Sequence, residues 1–196
     1  MSTRGLYGFR KNGVDKLTYN HADSYPDCLG RNILEFIKEN GVSKLNKIYD
    51  MIRLVNEQTP PSYYQIDECL RTGITDLTVS DRTVGDWYCL TRRLQGNFEK
   101  YAELANTATA IYMIENAGFI KDSLFCEYAY IINLDDLTLE YYMGFQTEPD
   151  ENNRYGTEKD GDYYPCKMVR AFDFDEIAEK SVEDIVAEMN KLAEEN

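Results

Sequence analysis

Two strand-like segments joined by Lys11-Asn12-Gly13 constrain the fold of this chain more than any other feature. Residues 6–10 precede this tripeptide and residues 14–19 follow it. Asn-Gly between two such runs is the strongest short-range signal for a β-hairpin, because a type I′ turn needs positive φ at both central positions. The chain is therefore expected to begin with two antiparallel strands.

A second pair of strand-like segments lies in the later part of the chain. Residues 126–134 and 137–142 alternate their side chains with a period of two and flank Asp135-Asp136, two residues suited to a tight turn. Residues 167–174 form one further strand-like segment. Together these segments predict an antiparallel sheet of about five strands, made of two hairpins and one later strand.

Helical patterns occupy the remaining segments. Residues 31–40 are expected to end at Gly41, a position suited to a left-handed C-cap, and residues 44–55 carry apolar side chains at helical spacing. Thr83 is the expected N-cap of a helix at 84–94. Further helices are predicted at residues 63–72, 98–106 and 181–195.

The length of 196 residues suits one folded unit, because single cores usually grow to roughly 250 residues before a chain divides. Hairpins and segregated helices predict a single α+β domain over residues 1–196, with several helices packed on the sheet. Residues 148–161 are polar and almost without apolar side chains, so we expect a mobile acidic insertion there. The last helix, at about 181–195, is amphipathic.

Acidic residues concentrate in the second half of the chain. Residues 1–100 hold 14 Lys and Arg against 13 Asp and Glu, whereas residues 101–196 hold 7 against 22. The formal net charge of −14 therefore arises from the second half. Such a surface repels nucleic-acid phosphates and anionic lipid, so neither nucleic acid nor membrane is expected to bind directly. It attracts a basic surface, such as the nucleic-acid groove of another protein.

Cysteine and histidine usage argues against several kinds of site. The five cysteines are widely spaced, contain no Cys-x-x-Cys pair and are expected to be buried, reduced thiols. With His21 as the single histidine, no structural zinc site is expected. The chain has no phosphate-binding loop, no dinucleotide fingerprint and no His-Glu-x-x-His, so we expect no cofactor. Residues 150–156 fail the EF-hand pattern, because Tyr155 stands where glycine is needed.

Two absences bear on the compartment. No apolar run approaches the roughly 18 residues that cross a bilayer. Residues 1–5 lack the apolar stretch and cleavage site of a secretory signal. We therefore expect a cytoplasmic protein.

The densest polar cluster covers residues 19–25. His21 is a candidate general base with Asp23 beside it, because residues two apart on an extended segment share a face. The same composition is typical of a turn whose side chains satisfy local backbone groups.

The first residues suggest a catalytic alternative. Removal of Met1 would expose Ser2, whose free amine can activate its own hydroxyl. The strand-like segment that follows loosely resembles the start of N-terminal-nucleophile hydrolases. That resemblance implies an amide hydrolase with Ser2 as the nucleophile, and Arg4, His21 and Asp23 complete the candidate catalytic set. Such enzymes form a four-layer αββα sandwich, which needs more than the five short strands predicted.

A third cluster lies in the predicted helix at 84–94. Trp87 and Tyr88 can cover a base or sugar, while Arg92, about one turn later, meets a phosphate. This spacing predicts a small-nucleotide-binding module. It is also typical of an aromatic pair packed in the core.

Six motifs span most of residues 3–145: Thr3-Arg4-Gly5-Leu6-Tyr7-Gly8-Phe9, Tyr19-Asn20-His21, Asp23-Ser24-Tyr25-Pro26, Asp86-Trp87-Tyr88-Cys89, Gln95-Gly96-Asn97 and Glu127-Tyr128-Ala129-Tyr130. Together they resemble a family of small, uncharacterised proteins of bacteria and their phages. The resemblance implies no activity, cofactor or catalytic residue. A phage origin would favour a role against a host protein, such as a component of a defence system.

We therefore expect a non-enzymatic protein-interaction module whose acidic half binds a basic protein surface. In its most specific form it is a phage-encoded inhibitor that mimics nucleic acid and binds a host nucleic-acid-binding protein. The binding residues named by this hypothesis and by the nucleotide alternative are Trp87, Tyr88, Arg92, Asp150, Glu151, Asp160 and Asp162.

Overall fold

The computed structural model describes residues 3–79 and 84–195. Within these ranges the strands are β1 (Gly5–Lys11), β2 (Val14–Asn20), β3 (Ile52–Val55), β4 (Ile111–Ile114), β5 (Tyr128–Asn133), β6 (Thr138–Met143) and β7 (Lys167–Asp173). The α-helices are α1 (Arg31–Met51), α2 (Tyr63–Arg71), α3 (Trp87–Leu90), α4 (Phe98–Thr107), α5 (Phe174–Glu179) and α6 (Val182–Glu195). Shorter helical turns cover Pro26–Gly30, Arg92–Leu94 and Ala117–Lys121.

Five strands form the central sheet in the order β2-β1-β5-β6-β7. Both predicted hairpins are present, as β1–β2 and β5–β6, and β7 pairs with β6. These elements confirm a single α+β domain with a five-stranded sheet. One pair departs from the expected antiparallel arrangement, because β1 and β5 run parallel. A hairpin turn sets the relative direction of its own two strands, and it does not set how two hairpins meet.

The two hairpin turns contact each other. Asn12 and Gly13 have φ of 53° and 72°, the positive values that the Asn-Gly signal predicted. The Asp135 carboxylate accepts both of their backbone N–H groups, at 2.6 and 2.9 Å. The second hairpin turns through four residues rather than two, since strand pairing ends at Asn133 and Thr138. This longer turn brings Asp135 to the first hairpin.

The helix predicted at 44–55 ends early. Gly41 has φ of 64° and divides α1 into two helical halves, in keeping with its left-handed signal. The helix then stops at Met51, and Ile52–Val55 pairs in parallel with Ile111–Ile114, a strand that no pattern predicted. Apolar β-branched residues suit a strand as well as a helix face, so spacing alone did not distinguish the two.

The helix predicted at 84–94 is also shorter in the structure. Asp86 caps it by accepting the N–H of Tyr88 at 2.8 Å, and α3 covers Trp87–Leu90. The chain then tightens into a 3₁₀ turn at Arg92–Leu94. Thr83, the expected cap, lies outside the described residues.

The end of the chain contains one unpredicted helix. Phe174 was expected in the last strand but begins α5 instead. The Nζ of Lys38 caps the end of α5 by donating to the carbonyls of Ile177 and Lys180, at 2.5 and 2.7 Å. The predicted final helix is present as α6, and the Ser181 hydroxyl caps its first turn.

The two faces of the central sheet are covered differently. Helices α1, α4 and α6 contribute to the core on one side, which we call the helix face. The Ala117–Lys121 turn and residues 146–166, which connect β6 to β7, contribute to a smaller apolar cluster on the other side. We call residues 146–166 the acidic lobe and this side the lobe face. The strand residues of the smaller cluster are Leu6, Leu17, Ala129, Ile131 and Tyr142.

The five cysteines form no disulfide, and four of them are buried as predicted. Cys28 is exposed, because it lies on the outer side of the Pro26–Gly30 turn. Burial raises the pKa of Cys69 to about 12. Among the described helices, none combines the length and apolar character that a bilayer crossing requires.

Candidate functional site

Two polar clusters that are distant in the sequence line one cavity. The cavity measures about 270 Å³ and lies where β2 approaches β4. The end of β2 and His21 form one wall, and residues 88–95 form another. β4 and Asn116 close a third side.

Aromatic rings connect the two clusters. The His21 imidazole packs edge-on against Tyr19 and Tyr88, at ring-centroid distances of 4.5 and 5.3 Å. The candidate general base and the candidate base-stacking residue therefore belong to one aromatic wall. The sequence identified both residues but not their contact.

Arg92 brings positive charge to this cavity. Its guanidinium lies 5.4 Å from the centroid of the Tyr88 ring and donates to Oε1 of Gln95. Gln95 is anchored in turn by a 2.8 Å hydrogen bond to the backbone of β2. Among the described residues Arg92 makes no ion pair, whereas Arg93 lies 3.7 Å from the Asp76 carboxylate. Neutral groups thus hold Arg92 in position without cancelling its charge.

Two buried phenols lie at the inner end of the cavity. The hydroxyl oxygens of Tyr7 and Tyr101 are 3.4 Å apart, and Tyr7 also accepts the backbone N–H of Gly96 at 2.9 Å. Burial raises the pKa of Tyr7 and of Tyr101, so both phenols are neutral near neutral pH. Their mutual hydrogen bond uses one of the two hydroxyl hydrogens, so the pair retains one further donor.

Among the described residues of the catalytic alternative, only His21 lines the cavity. The Arg4 guanidinium lies 4.4 Å from the centroid of the Phe125 ring. Asp23 is exposed, and its φ of 57° ends the extended run that follows β2. Ser2 lies outside the described residues. The second sheet in the described ranges has two strands, so these residues do not form an αββα sandwich.

Trp87 lies in the core and does not line the cavity. It is 2% exposed, and its indole N–H donates to the carbonyl of Thr59 at 2.9 Å. Its ring packs 5.4 Å from that of Tyr112. Of the three residues in the nucleotide alternative, the structure brings Tyr88 and Arg92 to the cavity and leaves Trp87 out.

The four acidic binding residues lie together in the acidic lobe, where five of the six carboxylates are exposed and one is half-buried. The six are Glu148, Asp150, Glu151, Glu158, Asp160 and Asp162. The lobe has two cations, and both are engaged within the molecule: Lys159 lies over the Tyr164 ring at 5.0 Å, and Arg154 contacts the sheet. The outer surface of the lobe is therefore strongly negative.

A charge network, which we call the latch, attaches the lobe to the sheet. Arg154 donates to both carboxylate oxygens of Glu140, at 2.7 and 2.6 Å, and 5% of the Glu140 side chain is exposed. The hydroxyl of Tyr142 donates to the same carboxylate at 3.1 Å. The hydroxyl of Tyr155 donates to Asp15 at 2.9 Å. The lobe is thus irregular in secondary structure yet anchored at its centre, and its mobility stays a prediction.

An exposed apolar patch, consisting of Leu124, Phe125 and Phe145, borders the lobe. Phe145 is 51% exposed and packs edge-on against Tyr163 of the lobe, with ring centroids 6.4 Å apart. Its φ of 58° is uncommon for a bulky residue, and its N–H donates to the carbonyl of Ser123 at 2.7 Å. The backbone therefore presents an aromatic ring to solvent beside the acidic lobe.

Carboxylates lie close to this patch. Burial and the neighbouring Asp160 carboxylate raise the pKa of Asp122, which precedes Leu124 by two residues. Glu127 lies two residues after Phe125 in the chain, and its carboxylate accepts the backbone N–H of Arg4 at 3.2 Å. The patch is thus apolar at its centre, with carboxylates and the Arg4 guanidinium around it.

No family model, no curated protein and no solved structure matches this chain. Within residues 3–79 and 84–195, no group of three or more His, Cys, Asp or Glu side chains is placed to hold a metal ion. Function is therefore inferred from the chain's own residues.

Most carboxylates of the second half lie in the segments that precede and follow β7. The lobe precedes this strand, and α5 with its acidic groove follows it. Near α5, Arg170 and Lys180 pair with Glu176 and Glu188. The carboxylates near α5 thus form ion pairs with neighbouring cations, whereas those of the lobe form none among the described residues. The acidic surface expected for the whole second half is therefore assigned to the lobe alone.

Sequence reasoning missed the residues that complete each site. Gln95 and Asn116 hold neighbouring cavity groups in place through hydrogen bonds. In the sequence, neither residue stands in a pattern that distinguishes it from an amide on the surface. Arg154 lies in the segment that fails the EF-hand pattern and was not a candidate site residue. Glu140 carried a usable signal, because a charged residue in an otherwise apolar or aromatic strand needs a buried partner.

Proposed function

We propose that this protein is a protein-interaction module that binds a basic protein surface through the acidic lobe and the apolar patch. The observation that carries the proposal is the lobe's charge: six carboxylates face two cations, of which Arg154 pairs with Glu140 outside the lobe and Lys159 lies over the Tyr164 ring. A net negative field of this kind accelerates association with a positive surface and disfavours other partners.

The apolar patch adds what charge alone does not supply. Binding energy at protein interfaces is concentrated in a few aromatic anchors surrounded by polar residues. Phe145 has this arrangement, since it is exposed, bordered by the lobe and held by its own backbone. The latch limits the conformational freedom that the lobe loses on binding, which reduces the entropic cost.

The most specific form of the proposal is a phage-encoded inhibitor that occupies the nucleic-acid groove of a host protein. Carboxylates then take the place of phosphates, and the partner's Lys and Arg side chains provide the complement. This role places the protein in the cytoplasm, where it binds neither nucleic acid nor membranes.

Two variants with equal charge changes test the proposal. Glu148, Glu151 and Glu158 are replaced by Gln in the lobe variant, and exposed Glu35, Glu39 and Glu99 are replaced by Gln in the control. Immobilised wild-type protein and control should retain the same basic proteins from a bacterial host lysate, as identified by mass spectrometry. The lobe variant should lose them, and release from wild type should occur as NaCl rises from about 50 to about 300 mM.

A third variant, Phe145→Asn, tests the apolar anchor, because Asn tolerates positive φ. We expect it to weaken retention by about tenfold, within the range of a modest hot spot. Added DNA or RNA should compete with the protein for its partner. Equal retention by the lobe variant and the control, or retention that salt does not reduce, would contradict the proposal.

A further inference from the structure

The cavity between β2 and β4 contains a guanidinium in an otherwise acidic molecule. In a chain of net charge −14, Arg92 lines this cavity without a carboxylate partner among the described residues. A guanidinium carries five N–H donors, and the hydrogen bond of Arg92 to Gln95 occupies one nitrogen. The remaining donors are suited to two parallel hydrogen bonds with a phosphate or carboxylate.

The aromatic wall indicates a flat ring in the same ligand. Tyr19, His21 and Tyr88 lie side by side along it, at successive centroid distances of 4.5 and 5.3 Å. Aromatic side chains offer stacked or edge-on contacts to a nucleobase, and such contacts tolerate different bases. Leu94 and Met113 add apolar surface to the cavity.

Polar groups at the inner end of the cavity can form hydrogen bonds with atoms on the edge of the ligand's ring. The hydrogen bond between the Tyr7 and Tyr101 hydroxyls uses the hydrogen of one of them, so the other hydroxyl keeps its hydrogen as a donor. The Oδ1 of Asn116 accepts the N–H of Tyr19 at 3.1 Å, which orients its amide group within the cavity. A buried donor that a ligand fails to satisfy costs affinity, so these groups favour a ring with carbonyl or ring-nitrogen acceptors.

The size of the cavity and its guanidinium suit a ligand with one phosphate. A volume of about 270 Å³ is just below the roughly 300–1,000 Å³ of sites for drug-sized ligands. Arg92 supplies one guanidinium to the cavity, which matches the oxygens of one phosphate. We propose that the cavity binds a nucleoside monophosphate, with Arg92 on the phosphate and the His21–Tyr88 wall against the base.

Adjacent arginines provide a matched pair of variants. Arg92→Gln removes the cavity's guanidinium, whereas Arg93→Gln removes the same charge from a side chain that faces Asp76. Purified full-length protein is titrated with AMP, GMP, CMP and UMP by calorimetry and thermal shift. Adenosine, guanosine and inorganic phosphate are measured in parallel. Tyr101→Phe tests the hydroxyl pair at the inner end.

At least one monophosphate should bind wild type and Arg93→Gln, raising the melting temperature by about 5–10 °C at about 100 times its Kd. Arg92→Gln should weaken binding by about tenfold or more, because hydrogen bonds to charged groups are worth that much. The nucleoside and inorganic phosphate should each bind at least tenfold more weakly than the nucleotide. Tyr101→Phe should weaken binding severalfold.

Three results would overturn the proposal. One is that no monophosphate binds wild type, and another is equal affinity of Arg92→Gln and Arg93→Gln. The third is that the nucleoside or inorganic phosphate binds as tightly as the nucleotide. If the Arg92→Gln protein does not melt cooperatively, the Arg92→Lys variant is used in its place. That variant should bind the monophosphate more weakly than wild type does. The lobe variant should bind nucleotide normally, which separates this cavity from the proposed protein interface.

Discussion

The two faces of the central sheet are stabilised by different physical means. On the helix face, Phe9, Tyr130, Leu139 and Phe172 are fully buried against packed helices. On the lobe face, a segment without regular secondary structure is attached by an ion pair to the buried Glu140. Apolar burial gains free energy roughly in proportion to area, whereas a buried charge gains only if its partner remains in place.

This difference shows how the molecule presents negative charge without unfolding. The lobe has too few apolar residues to bury a core of its own, so its anchoring depends on Arg154 and Tyr155. Its carboxylates then remain at the surface. The helix face holds the larger apolar core, and the lobe face carries the proposed interaction.

The largest expected effect lies on the helix face. Phe172→Ala should lower the free energy of unfolding by about 3–5 kcal/mol, because it removes a fully buried aromatic side chain from a close-packed core. Urea denaturation followed by circular dichroism measures the change. Met168→Ala on the same strand, where the side chain is exposed, should change it by less than about 0.5 kcal/mol. A loss below about 1 kcal/mol for Phe172→Ala would show that the helix face is not the main source of stability.

Removal of the latch should have a smaller and more local effect. Arg154→Ala leaves the buried Glu140 carboxylate without its ion pair and should cost about 2–4 kcal/mol, somewhat below a fully buried pair because Arg154 is partly exposed. Limited proteolysis should cut the lobe first, ahead of global unfolding. The double variant Glu140→Leu/Arg154→Met should recover most of the loss, since it leaves no uncompensated charge. Unchanged lobe cleavage in Arg154→Ala would refute this account of the latch.

The smallest effect is expected for the exposed ion pairs near α5. A hydrogen bond from Lys180, together with the Arg170 charge, holds the pKa of Glu176 below its ordinary value near 4.5. A carboxyl with a lowered folded-state pKa stabilises the fold above its unfolded pKa, and that contribution is lost as pH falls through the folded pKa. Glu176→Gln should therefore reduce the decrease in the free energy of unfolding that occurs below about pH 4.5. The reduction should be less than about 1 kcal/mol.

Thermal unfolding from pH 7 to pH 3 measures this effect. Lys180→Gln should flatten the same region, and adding it to Glu176→Gln should change little more, because the two residues share one interaction. A steeper acid response in Glu176→Gln would reverse the expected sign. Comparison with Arg154→Ala then gives the difference between an exposed and a buried ion pair in one protein.

Local signals predicted the elements whose geometry a few neighbouring residues decide. Asn12-Gly13 predicted the first turn, Gly41 the break in α1, and Ser181 the start of α6. Prediction failed where an element depends on a distant partner. Ile52–Val55 is a strand because Ile111–Ile114 lies beside it, and spacing within either segment is compatible with other structures.

The candidate sites follow the same rule. His21, Tyr88 and Arg92 were chosen by residue type, and the structure brings them to one cavity. Trp87 was chosen on the same grounds and lies in the core, because neighbouring residues on a helical turn point in different directions. Arg154 was overlooked, since its partner Glu140 lies on another element.

The amino-acid sequence by itself determined the turns, most of the helices, the net charge of −14 and its location in the second half. These are properties of short segments or of composition, and they hold whatever the segments contact. Only the tertiary structure decided which carboxylates meet a cation, which arginine lines a cavity and which aromatic ring faces solvent. Coulomb and packing energies depend on the distance between groups, and folding sets those distances between residues that are far apart in the chain.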